Sequence, residues 1–139
     1  MSSANLDLVR SVFAAWERGD FSSVEWAHPD IELVFADGPD PSNWTGLAGM
    51  SDGFGDFLSA WEDFHVQAEE YREIDEDRVL VLVQFSGRAK TSGVALGNME
   101  TTNAVLFHIH DGEVRRVLLY WDRERALVDL GLVQQGDGP

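Results

Sequence analysis

Apolar residues recur at Leu6, Val9, Phe13 and Trp16, steps of three and four that fall on one face of a helix. Ser3 or Asn5 can cap its start, and Gly19 suits the C′ position, where positive φ costs glycine nothing. Asp20 reads as the N-cap of a short second helix from Phe21 to Ala27, which His28-Pro29 stops. Ile31 to Phe35 reads as a strand, and the turn-rich "ADGPDPSNWTG" as a loop. A third helix begins near Gly46, with Leu47, Met50, Phe54, Leu58 and Trp61 at helical spacing. Gly53 and Gly55 weaken it by about 1 kcal/mol each relative to alanine.

The rest of the pattern has period two. Phe64 to Ile74 is one strand, turned by "DED" at Asp75 to Asp77. "VLVLVQFSGRA" is the next, "KTSG" a connection and "NMETTNAVLFHIH" a third strand. Asp111-Gly112 signals a tight hairpin, and "EVRRVLLYW" returns antiparallel. A short last helix spans Arg123 to Leu130 and ends at Gly131, leaving residues 133–139 as a frayed tail. Helices first and long strands last make an α+β domain over 1–139, with helices packed on a mainly antiparallel sheet. On the last strand Val117, Leu119 and Trp121 share one face, and Arg116, Leu118 and Tyr120 the other. Apolar residues on both faces predict two buried surfaces, one against helices and one against a partner chain, with Tyr120 on the partner side.

Five tryptophans and eight phenylalanines among 139 residues suit a thick core or a roomy apolar pocket. A net charge of −15 repels phosphate backbones and anionic membrane surfaces, so neither nucleic acid nor membrane is an expected partner. No stretch is apolar for long enough to span a bilayer. "MSSANLDLVRS" lacks the basic start and apolar core of a secretory signal, which makes the expected location cytoplasmic. The absence of cysteine removes disulfides, thiolate chemistry and thiolate metal ligands. Phosphate-loop, dinucleotide and nucleophile-elbow patterns are missing, so no cofactor is expected.

The element order, with "VFAAWERGDFSSVEWAHPDIEL", the "WTG" that opens helix three, "TSG", "VLFHIHDGEVRRV" and "YWD", resembles the SnoaL-like branch of the NTF2-like superfamily. That group includes polyketide cyclases and ketosteroid isomerases. The likeness runs from about Leu6 to Leu132 and implies a cone: a curved sheet wrapped around helices, enclosing an apolar pocket. It also implies a homodimer through the outer sheet face. It puts Trp121 and Asn103 on the pocket side.

Three residues match positions that carry chemistry in such relatives. Asp37 corresponds to the general-base aspartate of ketosteroid isomerases; the alternative is a turn aspartate in "DGPDP". Asn103 corresponds to their acidic oxyanion donor; the alternative is a satisfied buried amide. The tyrosine that completes that oxyanion hole has no counterpart, the matching position lying near Val12. Asp122 corresponds to the acid–base aspartate of the polyketide cyclases, and also suits the N-cap of the last helix. Trp16, Trp44, Trp61, His65, Phe107, Val117, Leu119 and Trp121 are the candidate ligand contacts, with core packing the alternative for Trp16, Trp44 and Trp61. His108 and His110 share a strand face but lack an evident third metal ligand, so no metal site is expected. Two functions remain open: cofactor-free isomerase, cyclase or dehydratase chemistry on a small hydrophobic molecule, or a non-catalytic ligand-binding or dimerisation module.

Overall fold

The computed structural model describes residues 3–20, 25–36, 42–59, 61–89 and 103–131. Chain order is α1 (Ser3–Glu17), β1 (Ala27–Phe35), β2 (Ser42–Thr45), α2 (Gly46–Ser59), β3 (Trp61–Glu73), β4 (Arg78–Ala89), β5 (Asn103–His110), β6 (Glu113–Tyr120) and α3 (Arg123–Asp129). The strands form one sheet in the order β2-β1-β6-β5-β4-β3. Every pairing is antiparallel except β1 with β6. Register shifts at Glu62/His65 and Ala68/Glu70 on β3, and at His108/Ile109 on β5, bend the sheet, as bulges do. The architecture is the expected α+β cone of the NTF2-like kind.

Local chemistry explains most boundaries. Gly19 at φ 88° ends α1, and the N–H groups of Gly19 and Asp20 return to Trp16 O and Ala15 O, the pattern of a Schellman end. Asp111 and Gly112 both have positive φ, so β5 and β6 are joined by the tight turn their dipeptide predicts. Asn5 does not cap α1, which starts at Ser3. Its amide instead donates to Glu76 O at 2.7 Å and ties the helix to the β3–β4 turn.

Three expectations need correction. Residues 21–24 lie outside the described residues, but Ala27 begins a strand and His28-Pro29 lie within it. Proline is tolerated there because β1 slips register against β6 between Ala27 and Glu32, where no ladder donor is required. Second, the turn-rich stretch yields β2, whose Trp44 ring lies over α2. A Cβ on Gly53 would come within 2.7 Å of that ring, so glycine makes this packing possible. Third, Trp61 does not close the α2 stripe; it opens β3.

The concave face carries the main core. Val9, Val12, Phe13 and Trp16 of α1 pack there against Val79, Val81 and Val83 of β4, Val105 and Phe107 of β5, and Val117 and Leu119 of β6. The convex face carries a smaller cluster of Leu80, Leu82, Ala104, Leu106 and Tyr120, which packs with Ala126 of α3. The two-faced pattern of β6 is thus met in part within the chain. Tyr120 is 4% exposed, and its hydroxyl donates to Asp129 Oδ2 at 3.3 Å, so it belongs to the α3 contact and not to an open partner face.

Candidate ligand site

At the end of the cone away from the Asp111–Gly112 turn, aromatic rings close a cavity. Trp16 of α1 and Phe54, Phe57 and Leu58 of α2 form one side. Phe64 and Val66 of β3, Phe85 of β4 and Leu119 of β6 form the other. The lining side chains are all apolar. The cavity holds about 10 Å³, room for roughly one water, whereas ligand pockets start near 300 Å³. Its rings pack on one another. Phe57 stacks on Phe35 at 5.3 Å and meets Phe64 edge-on at 5.2 Å. Trp61 and Trp121 lie 5.8 Å apart, half-buried at the rim, and Trp121 meets Phe85 edge-on at 5.5 Å.

Of the expected contacts, Trp16 and Leu119 line the cavity, and Trp61 and Trp121 stand beside it. Phe107 and Val117 lie in the fully buried core, Phe107 against Phe13 and Trp16. Trp44 packs on Gly53 and donates its indole N–H to Ser42 Oγ at 3.1 Å. His65 is exposed, between Phe64 and Val66 that face the cavity, so alternation turns it outward and away from the mouth. Phe54 belongs to the α2 stripe, and the structure adds Phe57, Phe64 and Phe85 to the lining. For Phe57 the signal was its place three residues after Phe54; for Phe64 and Phe85 it was strand alternation with Val66 and Val83.

Asn103 is completely buried. Its Oδ1 accepts the Phe85 N–H at 2.9 Å, and its Nδ2 donates to Trp121 O at 2.8 Å. The carboxamide therefore bridges the backbones of two aromatic wall residues on either side of β5. Arg123 reinforces this corner: Nε donates to Asn103 O at 3.2 Å, and Nη2 to Val83 O at 2.9 Å and Glu69 Oε1 at 2.5 Å. In the sequence Arg123 reads as an ordinary first-turn residue, with no local sign of these distant partners. Asp122 is exposed and caps α3, its Oδ1 accepting the Glu124 N–H at 3.0 Å. Asp37 lies outside the described residues.

The convex face carries a polar row across the sheet. Arg78, His108 and Arg116 are register neighbours on β4, β5 and β6. Asp75 binds Arg78 at 2.8 Å, and Glu32 lies 3.2 Å from Arg116 Nε, a buried atom that is not aligned for a hydrogen bond. Burial, then Arg116 and Arg78, push His108 below its ordinary 6.5, against the weaker pull of Asp75 and Asp77. The unfolded chain therefore binds this proton more readily than the folded one. Stability is intact above pH 6.5 and falls as pH drops from there toward the folded-state value. His108→Gln is expected to flatten the melting temperature over that window. An unchanged pH profile would place the acid sensitivity elsewhere. Among the described residues no group of three or more His, Asp or Glu side chains is placed to hold a metal ion.

Comparison with known proteins agrees with this geometry. The SnoaL-like domain family matches residues 9–117, and the chain belongs to that family. Among solved structures, a Catenulispora acidiphila protein with a ketosteroid isomerase-like fold, in complex with trimethylamine, aligns with TM-score 0.67 and 18% identity over 92% of this chain and 95% of that one. TerC, co-crystallised with polyporic acid, aligns with TM-score 0.70 and 18% identity over 91% and 97%. An NTF2-like protein from Burkholderia pseudomallei aligns with TM-score 0.72 and 15% identity over 90% and 95%. No curated protein matches. No helix among the described residues is long and apolar enough to cross a membrane.

Proposed function

We propose that the cone takes up a small, largely hydrophobic molecule. The carrying observation is a cavity whose lining is entirely apolar and mostly aromatic. Such a wall favours hydrocarbon and offers nothing to a buried charge. The trimethylamine and polyporic acid held by similarly folded proteins support a small-molecule ligand. Titration with naphthalene is expected to give a saturable change in indole fluorescence, much reduced in Trp121→Phe. The absence of any saturable change for naphthalene, indole or a steroid sinks the reading.

The second reading adds catalysis: Asp37 or Asp122 moves a proton on a bound carbonyl compound, and Asn103 donates to the developing oxyanion. Its support is the correspondence of Asp37 to the base position of the ketosteroid isomerases that the sequence resembles, with Asp122, directly after rim residue Trp121, as the other carboxylate. Asn103 would have to use the N–H of Nδ2 that Trp121 O does not take.

We also propose a homodimer through the convex face, where Val34, Ala36 and Leu118 are only half-buried. Leu118→Arg is expected to give monomers, because it places an unpaired charge in the interface. Sedimentation of the unmodified protein as a monomer at micromolar concentration contradicts the dimer.

A further inference from the structure

The proposed ligand cannot enter the cavity as it stands, because about 10 Å³ admits no organic molecule. Something must yield, and one ring is placed to do so. We infer that Phe57 is the plug of the cone and sets the size of the molecule it accepts; this rests on the hydrophobic-ligand reading above.

The Phe57 ring touches rings from every side of the mouth. It lies 5.3 Å from Phe35, 5.2 Å from Phe64, 5.9 Å from Trp121 and 6.4 Å from Trp61 and Phe85. Its ring thus stands where the ring of an apolar ligand would make the same edge and face contacts. Phe54, one turn earlier on α2, is 4% exposed, whereas Phe57 is half-buried. Phe57 is thereby a route between cavity and solvent that Phe54 is not.

The helix beneath it carries a glycine that packing does not require. Gly53 is required by the Trp44 ring, but nothing lies within 4 Å of where a Gly55 Cβ would be. Packing therefore gives no reason for glycine at 55, and glycine loosens a helix interior relative to alanine. The turn it loosens carries Phe57 and Leu58, which both line the cavity. Displacement of that turn, or rotation of the Phe57 ring, opens the site. The ligand class follows: one or two fused apolar rings buried, with any polar group left at the rim beside Trp61 and Trp121.

The test uses the whole chain and a fluorescent two-ring probe, 1-aminonaphthalene, with equilibrium titration and stopped-flow mixing. The unmodified protein is expected to bind with slow association. Phe57→Ala is expected to bind at least 10-fold tighter and associate faster. Phe57→Leu, which disturbs folding less, moves the same way by a smaller factor. Gly55→Ala is expected to slow association several-fold and leave dissociation nearly unchanged. Met50→Ala removes buried volume from α2 at a residue that does not itself line the cavity, and serves as the control for cavity creation as such. If the unmodified protein binds but Phe57→Ala and Phe57→Leu bind no tighter, or Met50→Ala gains equally, the plug is refuted and the ligand reading stands. If neither the unmodified protein nor any Phe57 variant binds, both fall together.

Discussion

An Asn103→Leu variant is expected to lose about 2–5 kcal/mol of folding stability, the largest loss expected of any single polar residue described here. The side chain is completely buried and occupied at both ends, by the Phe85 N–H and by Trp121 O. Leucine fills similar volume but leaves a buried donor and a buried acceptor unmatched, at about 1–3 kcal/mol each. Melting should fall by about 10 °C or more for a chain of this size. Urea unfolding, followed by circular dichroism, measures the loss; a change under 0.5 kcal/mol would mean that the bridge contributes little. Asn103→Asp sharpens the test. A carboxylate can accept from Phe85 but confronts the Trp121 carbonyl with another acceptor, so the fold favours the protonated acid. Its folded pKa is then raised. The variant should be most stable below the ordinary aspartate value, about 3.9, and lose stability as pH rises through the raised one.

Sequence pattern carried α1, α2 and the run from β3 to α3 because its signals there are local. The α1 stripe, the Asp111–Gly112 turn and the Asp122 cap each need only neighbouring residues. What it could not carry depends on partners far along the chain. Gly53 reads as a helix weakness until Trp44 is seen above it. Pro29 reads as a stop until the register slip against β6 supplies a place without a ladder donor. Tyr120 reads as part of a partner surface because periodicity cannot distinguish a second chain from α3 of the same chain. Cavity size was least legible. Aromatic abundance fits a roomy pocket and a filled one equally well, and only the ring positions around Phe57 show that the rings fill it. Arg123 acquires its role from Val83 and Glu69, forty and fifty-four positions away.

For the carboxylates, Asp122→Asn is expected to leave both stability and any proton transfer near their native levels, and Asp37→Asn to cut proton transfer by about 10²–10⁴-fold. A general base gains its strength from a carboxylate facing an apolar cavity, where desolvation raises its pKa. Asp122 is exposed rather than facing the apolar cavity, and its carboxylate is engaged as the cap of α3, accepting the Glu124 N–H. Asparagine caps about as well as aspartate, whereas Asp122→Ala should cost about 1 kcal/mol. Asp37 corresponds to the base position of the ketosteroid isomerases that this sequence resembles, which makes it the better candidate. Deuterium uptake at the α-carbon of a bound ketone such as α-tetralone, followed by NMR, reads proton transfer without knowledge of the natural substrate. Binding of the same ketone, followed by tryptophan fluorescence, separates lost chemistry from lost affinity. Exchange abolished by Asp122→Asn at native stability would move the base to Asp122. Exchange equal in every variant and no faster than in buffer, with the ketone bound, would leave a cone that binds and does not catalyse.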